Sequence, residues 1–142
     1  MGLSHVYDGN PEEAARWFAQ AVELNSSSYI PSYLAATLEE GGVADANTRH
    51  TLLRQATALN PRFAPAYLER ARLHANASEF DEAVTLARKA IELDTTSEAS
   101  WIMLGQILLR EGDPESARTV GERGLTWAAS AAAKAGLTSF LE

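Results

Sequence analysis

A chain of 142 residues that is 46% apolar but only 8% aromatic has the size of one ordinary domain, and its many alanines suit helices packed through small side chains better than a β-branched sandwich. Twelve Lys and Arg against 19 Asp and Glu leave a formal net charge of −7, which repels a phosphate backbone, and the absence of cysteine excludes disulfides, thiolate metal sites and thiol nucleophiles. No window approaches ~18 consecutive apolar residues and no basic-then-apolar leader opens the chain, so no membrane insertion is expected; the compartment stays unassigned, with the cytoplasm as default.

A period of 34 residues organises the sequence. Tyr33, Tyr67 and Trp101 are spaced by it, and Ala21-Val-Glu-Leu-Asn25, Ala56-Thr-Ala-Leu-Asn60 and Ala90-Ile-Glu-Leu-Asp94 follow it with one extra residue in the loop Ser26-Ser27-Ser28-Tyr29-Ile30-Pro31. Residues 1–8 align with the later part of a first helix, Gly2 and His5 falling in the slots of Gly105 and Leu108. The chain therefore reads as beginning inside a repeat, a fragment of a longer protein in preference to a native start with a degenerate first helix. Gly9-Asn-Pro-Glu-Glu-Ala14 opens a helix expected at 11–24, whose stripe is Trp17, Phe18, Ala21, Val22 and Leu24. Helices at 31–40 and 47–59 follow, separated by Gly41-Gly42; Asn60-Pro61 ends the second of them. The spacing predicts further helices at 64–76, 81–93 and 97–110, with Ala83, Val84, Ala87, Ala90 and Ile91 forming another apolar stripe. Gly112-Asp-Pro-Glu-Ser-Ala117 repeats the opening turn and starts a last helix at 114. With no breaker from Leu125 to Ala135, this helix is expected to run on and to stop at Gly136, leaving Leu137 to Glu142 as one more covering turn.

These residues resemble the tetratricopeptide repeat family over about residues 9–128. Trp101, Leu104, Gly105 and Ala117 match its pattern in one repeat, Tyr67, Ala71, Ala83 and Ala90 in the one before, and Phe18, Ala14, Ala21 and Pro61 in the earlier part. Small residues at Gly105, Ala71, Ala83 and Ala117 let paired helices approach to ~8–10 Å. The resemblance implies an all-α, right-handed superhelical solenoid of antiparallel helix pairs: a partial repeat at 1–29, repeats at 30–63, 64–97 and 98–131, and a C-terminal cap at 132–142. Several slots depart from the pattern. Arg49 stands where a small residue is expected, Arg70 and His74 replace Leu and Tyr, and the stretch 41–49 reads as distorted. Gly121 and Gly124 replace the aromatic and Ala of the last helix, which implies either close approach of another backbone or a soft helix.

By the same resemblance, a concave groove is lined by Leu34, Leu38, Leu68, Arg72, Asn76, Ile102, Gln106 and Arg110, and grips a peptide or protein segment. The Lys and Asn pair with which some members clamp a terminal carboxylate is missing, since its slots hold Leu34 with Leu38, Leu68 with Arg72, and Ile102 with Gln106. Chemistry is not expected. His5, His50 and His74 form no metal-binding spacing, no Gly-rich phosphate loop or nucleophile motif is present, and Glu12-Glu13 and Glu39-Glu40 point apart on their helices. His74 reads as a packing residue. The sequence thus predicts a non-catalytic, cofactor-free protein-binding module with no nucleic-acid partner. The alternative is a structural spacer, or weak self-association through the terminal repeats.

Overall fold

The computed structural model describes residues 11–24, 27–37 and 45–142. Its regular elements there are all helical: α1 (Pro11–Leu24), α2 (Tyr29–Thr37), α3 (Ala46–Leu59), α4 (Ala64–Asn76), α5 (Phe80–Leu93), α6 (Glu98–Glu111), α7 (Pro114–Leu125) and α8 (Ala131–Thr138). Helices α1 and α4 start and stop where the sequence places them, and the ends of α3, α5 and α6 lie within a single residue of their expected positions. Helix α2 opens earlier than expected, at Tyr29, so that Pro31 falls in its first turn, where the missing N–H removes no helical bond. The expected breaker Gly41-Gly42, the turn at Gly9 and Asn10, and residues 1–8 lie outside the described residues.

The chain divides into two compact units, Met1–Ala66 and Tyr67–Glu142. In the first, α1 packs on α2 and α2 on α3. Ala35 and Ala36 of α2 are buried, as are Leu52, Leu53 and Ala56 of α3, so close approach rests on small side chains facing leucines. Phe63 closes this unit from beyond α3. Its ring lies 4.7 Å from that of Tyr29 and 4.9 Å from that of Tyr33, the latter nearly edge-on, an arrangement the ring quadrupoles favour.

In the second unit α5 packs on α6, α6 on α7, and α8 on both α6 and α7. The core joins Ala71 and Ala75 of α4, Ala83, Leu86 and Ala87 of α5, Trp101, Leu104 and Leu108 of α6, and Ala117 and Val120 of α7. Fully burying a side chain such as Leu104 contributes roughly 1.5–3 kcal/mol. The Trp101 ring is fixed by its Nε1–H, which donates to the Thr95 carbonyl at 2.9 Å.

The connections repeat their chemistry as well as their length. Asn60 accepts the Arg62 N–H on its side-chain oxygen at 3.2 Å, and Asp94, one period later, accepts that of Thr96 at 3.1 Å. Gly112 takes φ +95° after α6 and its N–H bonds back to Leu108 and Leu109; Asp113 then caps α7 by accepting the Ser116 N–H at 3.0 Å, with Pro114 at the first helical position.

One expectation is overturned. The last repeat helix does not continue to Gly136: α7 ends at Leu125, and α8 begins afresh after Ser130, whose hydroxyl accepts the Ala133 N–H at 3.0 Å. Gly136 lies inside α8. The cause is a long-range acceptor. The Glu98 carboxylate, at the start of α6, accepts the N–H groups of Ala129 and Ser130 at 2.6 and 2.8 Å and the Ser130 hydroxyl at 2.7 Å. Those N–H groups would be internally bonded in a continuous helix. Reversal brings Leu137 and Phe140 back into the core, where they are 0% and 8% exposed.

Gly121 and Gly124 are explained by this docking and not by softness. A Cβ at Gly121 would meet the Leu137 carbonyl oxygen at 2.8 Å, and one at Gly124 would meet Leu137 Cδ2 and Trp101 Cβ at 3.0 Å. The backbone and side chains of the C-terminal segment therefore occupy the space that side chains on α7 would need.

Candidate functional site

In the second unit α4 carries Leu68, Arg72 and Asn76 one turn apart, and α6 carries Ile102, Gln106 and Arg110 in the same way. Leu68, Arg72 and Ile102 are half-buried, whereas Asn76 and Gln106 are exposed. The ends of the two stripes are tied together by Arg110: its guanidinium donates to the Ala75 carbonyl at 2.8 Å and lies 5.7 Å from the centre of the Phe80 ring. Arg110 thus neutralises the electronegative C-terminal end of α4 and is held there by a cation–π contact. Arg72 is also engaged, its Nη2 and Nε donating to one oxygen of Glu69 at 2.6 and 3.0 Å. The two arginines assigned to the groove lining consequently carry protein partners already.

Ile102 faces the C-terminal segment, since a Cβ on Gly136 would lie 3.4 Å from its Cδ1. Helix α8 therefore flanks α6 on that side, leaving Gln106 as the open polar position of the α6 stripe. Leu34 belongs to the first unit, half-buried on α2, where its carbonyl accepts the Thr37 hydroxyl at 3.2 Å. Leu38 lies outside the described residues. His74 does more than pack: its Nδ1 meets Glu79 Oε2 at 2.5 Å, linking the last turn of α4 to the residue before α5.

Sequence reasoning missed Glu98, because the groups it binds lie more than thirty positions downstream and no local motif announces a carboxylate that will hold another helix. Bonds from Ser130 and Ala129 hold the Glu98 carboxyl below the usual glutamate range. Among the described residues no cluster of His, Asp and Glu could hold a metal ion, and no helix is long and apolar enough to cross a membrane.

Two family models of the tetratricopeptide repeat match the chain, over residues 64–107 and 99–123. No curated protein matches the sequence. Among solved structures, MamA is similar with a TM-score of 0.80 at 20% identity, covering 89% of this chain and 73% of that one. A thermophilic TPR protein of Thermus thermophilus gives a TM-score of 0.79 at 18% identity, with 99% of this chain and 77% of that one covered. The pilF protein of Pseudomonas aeruginosa gives 0.78 at 20% identity, with 99% and 64% covered. At such identities the likeness is one of fold, an all-α helical repeat. Proteins built from such repeats are generally non-catalytic scaffolds, and the likeness supports a protein-interaction module in that general sense. Residues 64–123 thus match the tetratricopeptide repeat by sequence, and the fold is that of an all-α helical repeat.

Proposed function

We propose that the second unit holds a peptide or protein segment along the face formed by α4 and α6, with Leu68 and Ile102 as apolar anchors and Gln106 and Asn76 supplying hydrogen bonds. The observation that carries this reading is the Arg110 bridge to the Ala75 carbonyl, which draws the two stripes together at one end. Half-buried Leu68 and Ile102 provide partial apolar area beside exposed amides, a mixed lining that suits a segment with alternating apolar and polar side chains. Because Arg72 and Arg110 already have partners, recognition there rests on shape and amide hydrogen bonds more than on charge.

Self-association through the C-terminal repeat is the weaker alternative. Leu137 and Phe140 cover the Gly105, Gly121 and Gly124 surface, so a second copy would first have to displace them. The groove reading is tested by selecting ligands from a displayed peptide library and measuring their affinity for the Leu68→Glu and Gln106→Arg variants. Affinity should fall about tenfold or more, as expected when an apolar anchor or a central polar contact is lost. Unchanged affinity in both variants rejects the site.

A further inference from the structure

On a different face of α6 from Ile102 and Gln106, the second unit holds a cleft of about 190 Å³ between α5 and α7. Its floor is apolar, made by Ile91, Leu104 and Val120 around the Trp101 ring, and its rim carries Arg88, Arg123 and Glu92. The floor is rigid, because Trp101 is anchored through Nε1 to the Thr95 carbonyl. At this volume the cleft is smaller than the ~300–1,000 Å³ of small-molecule sites, and it suits a single inserted side chain.

The rim carries two arginines. Some cations of the chain have a carboxylate partner: Arg72 has Glu69, Lys89 has Glu92 and Arg118 has Glu122. Arg88 and Arg123 have none among the described residues, and Arg123 instead lies 6.0 Å from the centre of the Trp101 ring. Guanidinium groups without acceptors on either side of an apolar pit are complementary to carboxylates on either side of an apolar side chain. Glu92, already beside Lys89 at 3.5 Å, narrows the choice by repelling a carboxylate placed on its own part of the rim.

We infer that this cleft is a second docking site, for an acidic peptide segment whose aliphatic or aromatic residue enters between α5 and α7 while flanking Asp or Glu side chains pair with Arg88 and Arg123. The site does not depend on the α4–α6 face. Its ligand differs in kind, recognised by charge at the rim and by one buried anchor.

The test is fluorescence polarisation of a labelled peptide, Glu-Asp-Leu-Asp-Glu with blocked ends, against the full chain at low salt. Saturable binding is expected, weakened about tenfold or more by Arg88→Glu with Arg123→Glu, and equally by Leu→Ala in the peptide. A control of identical charge change, Arg54→Glu with Arg118→Glu, should retain binding, as should Gln106→Ala. Should the double reversal lose helical signal, Arg88→Gln with Arg123→Gln gives the same reading with a smaller perturbation. The inference is overturned by absence of saturable binding, by equal loss in the control pair, by indifference to the peptide's leucine, or by loss on Gln106→Ala in place of the arginine changes.

Discussion

Ser78 holds φ at +61°, the left-handed region that costs an ordinary L-residue roughly 1–2 kcal/mol. One period later the same place is taken by Gly112 at φ +95°. The hydrogen bonds agree: Glu79 N–H reaches back to the His74 carbonyl at 2.9 Å, as Asp113 N–H reaches back to that of Leu108 at 2.9 Å. Both helices thus end in one motif, and only the second has the residue that fits it. Ser78→Gly should therefore stabilise the protein, by about 0.5–1 kcal/mol once the added freedom of the unfolded chain is offset. Urea denaturation of the variant checks this, and a lower midpoint would show that the serine side chain contributes something the backbone geometry does not reveal. At this scale the sequence was partly legible. The glycine of the turn at Gly112 could be read from its repeat of the opening turn, but nothing local showed that Ser78 adopts the same left-handed turn.

The start of α8 is held by one carboxylate. Glu98 accepts bonds from the Ser130 N–H and hydroxyl and from the Ala129 N–H, and these hold its carboxyl below the usual range, the Ser130 backbone bond first among them. A depressed folded value means that the ionised form favours the docked state. The contribution is complete above the ordinary glutamate range and is lost as pH falls through the lower, folded value. Asp45 and Asp113, held low by their bonds to Thr48 and Ser116, lose stability in the same direction, so the whole-protein acid transition alone cannot isolate Glu98. The isolating quantity is the stability difference between the parent and Glu98→Gln, which should be largest near neutrality and shrink on acidification. Amide exchange at Ala129 and Ser130 should rise in the variant at neutral pH; protection unchanged there would refute the latch. Helix existence was readable from the 34-residue period, whose stripes and turn residues are local. The break after Leu125 was not, since it is set by Glu98 and by the burial of Leu137 and Phe140. The same limit applies to the candidate site: the family resemblance assigned Arg110 to a lining slot, but its acceptor, the Ala75 carbonyl, is a backbone atom that no side-chain pattern marks.

In the whole molecule each compact unit carries its own buried set, Leu53 and Ala56 with the Phe63 ring in the first and Trp101, Leu104 and Leu137 in the second. Repeat chains draw stability from each repeat and from its immediate neighbours, so a perturbation far from one unit should leave it nearly untouched. Gly121 offers a clean perturbation. Alanine there gains about 1 kcal/mol in helix propensity. Its Cβ, however, would stand 2.8 Å from the Leu137 carbonyl oxygen, a backbone atom that must move, and overpacking of this kind costs about 1–3 kcal/mol. Gly121→Ala should therefore lower the stability of the second unit, read by Trp101 fluorescence in a Trp17→Phe, Trp127→Phe background. Amide exchange at Leu53 and Ala56 should not change. In a chain ending at Leu125 the obstructing carbonyl is gone and only the propensity gain remains, so the same substitution should turn stabilising relative to its own parent. A uniform shift of all probes would mean that the units unfold as one. Failure of the sign to reverse would mean that Gly121 is required by something other than the returning C-terminal segment.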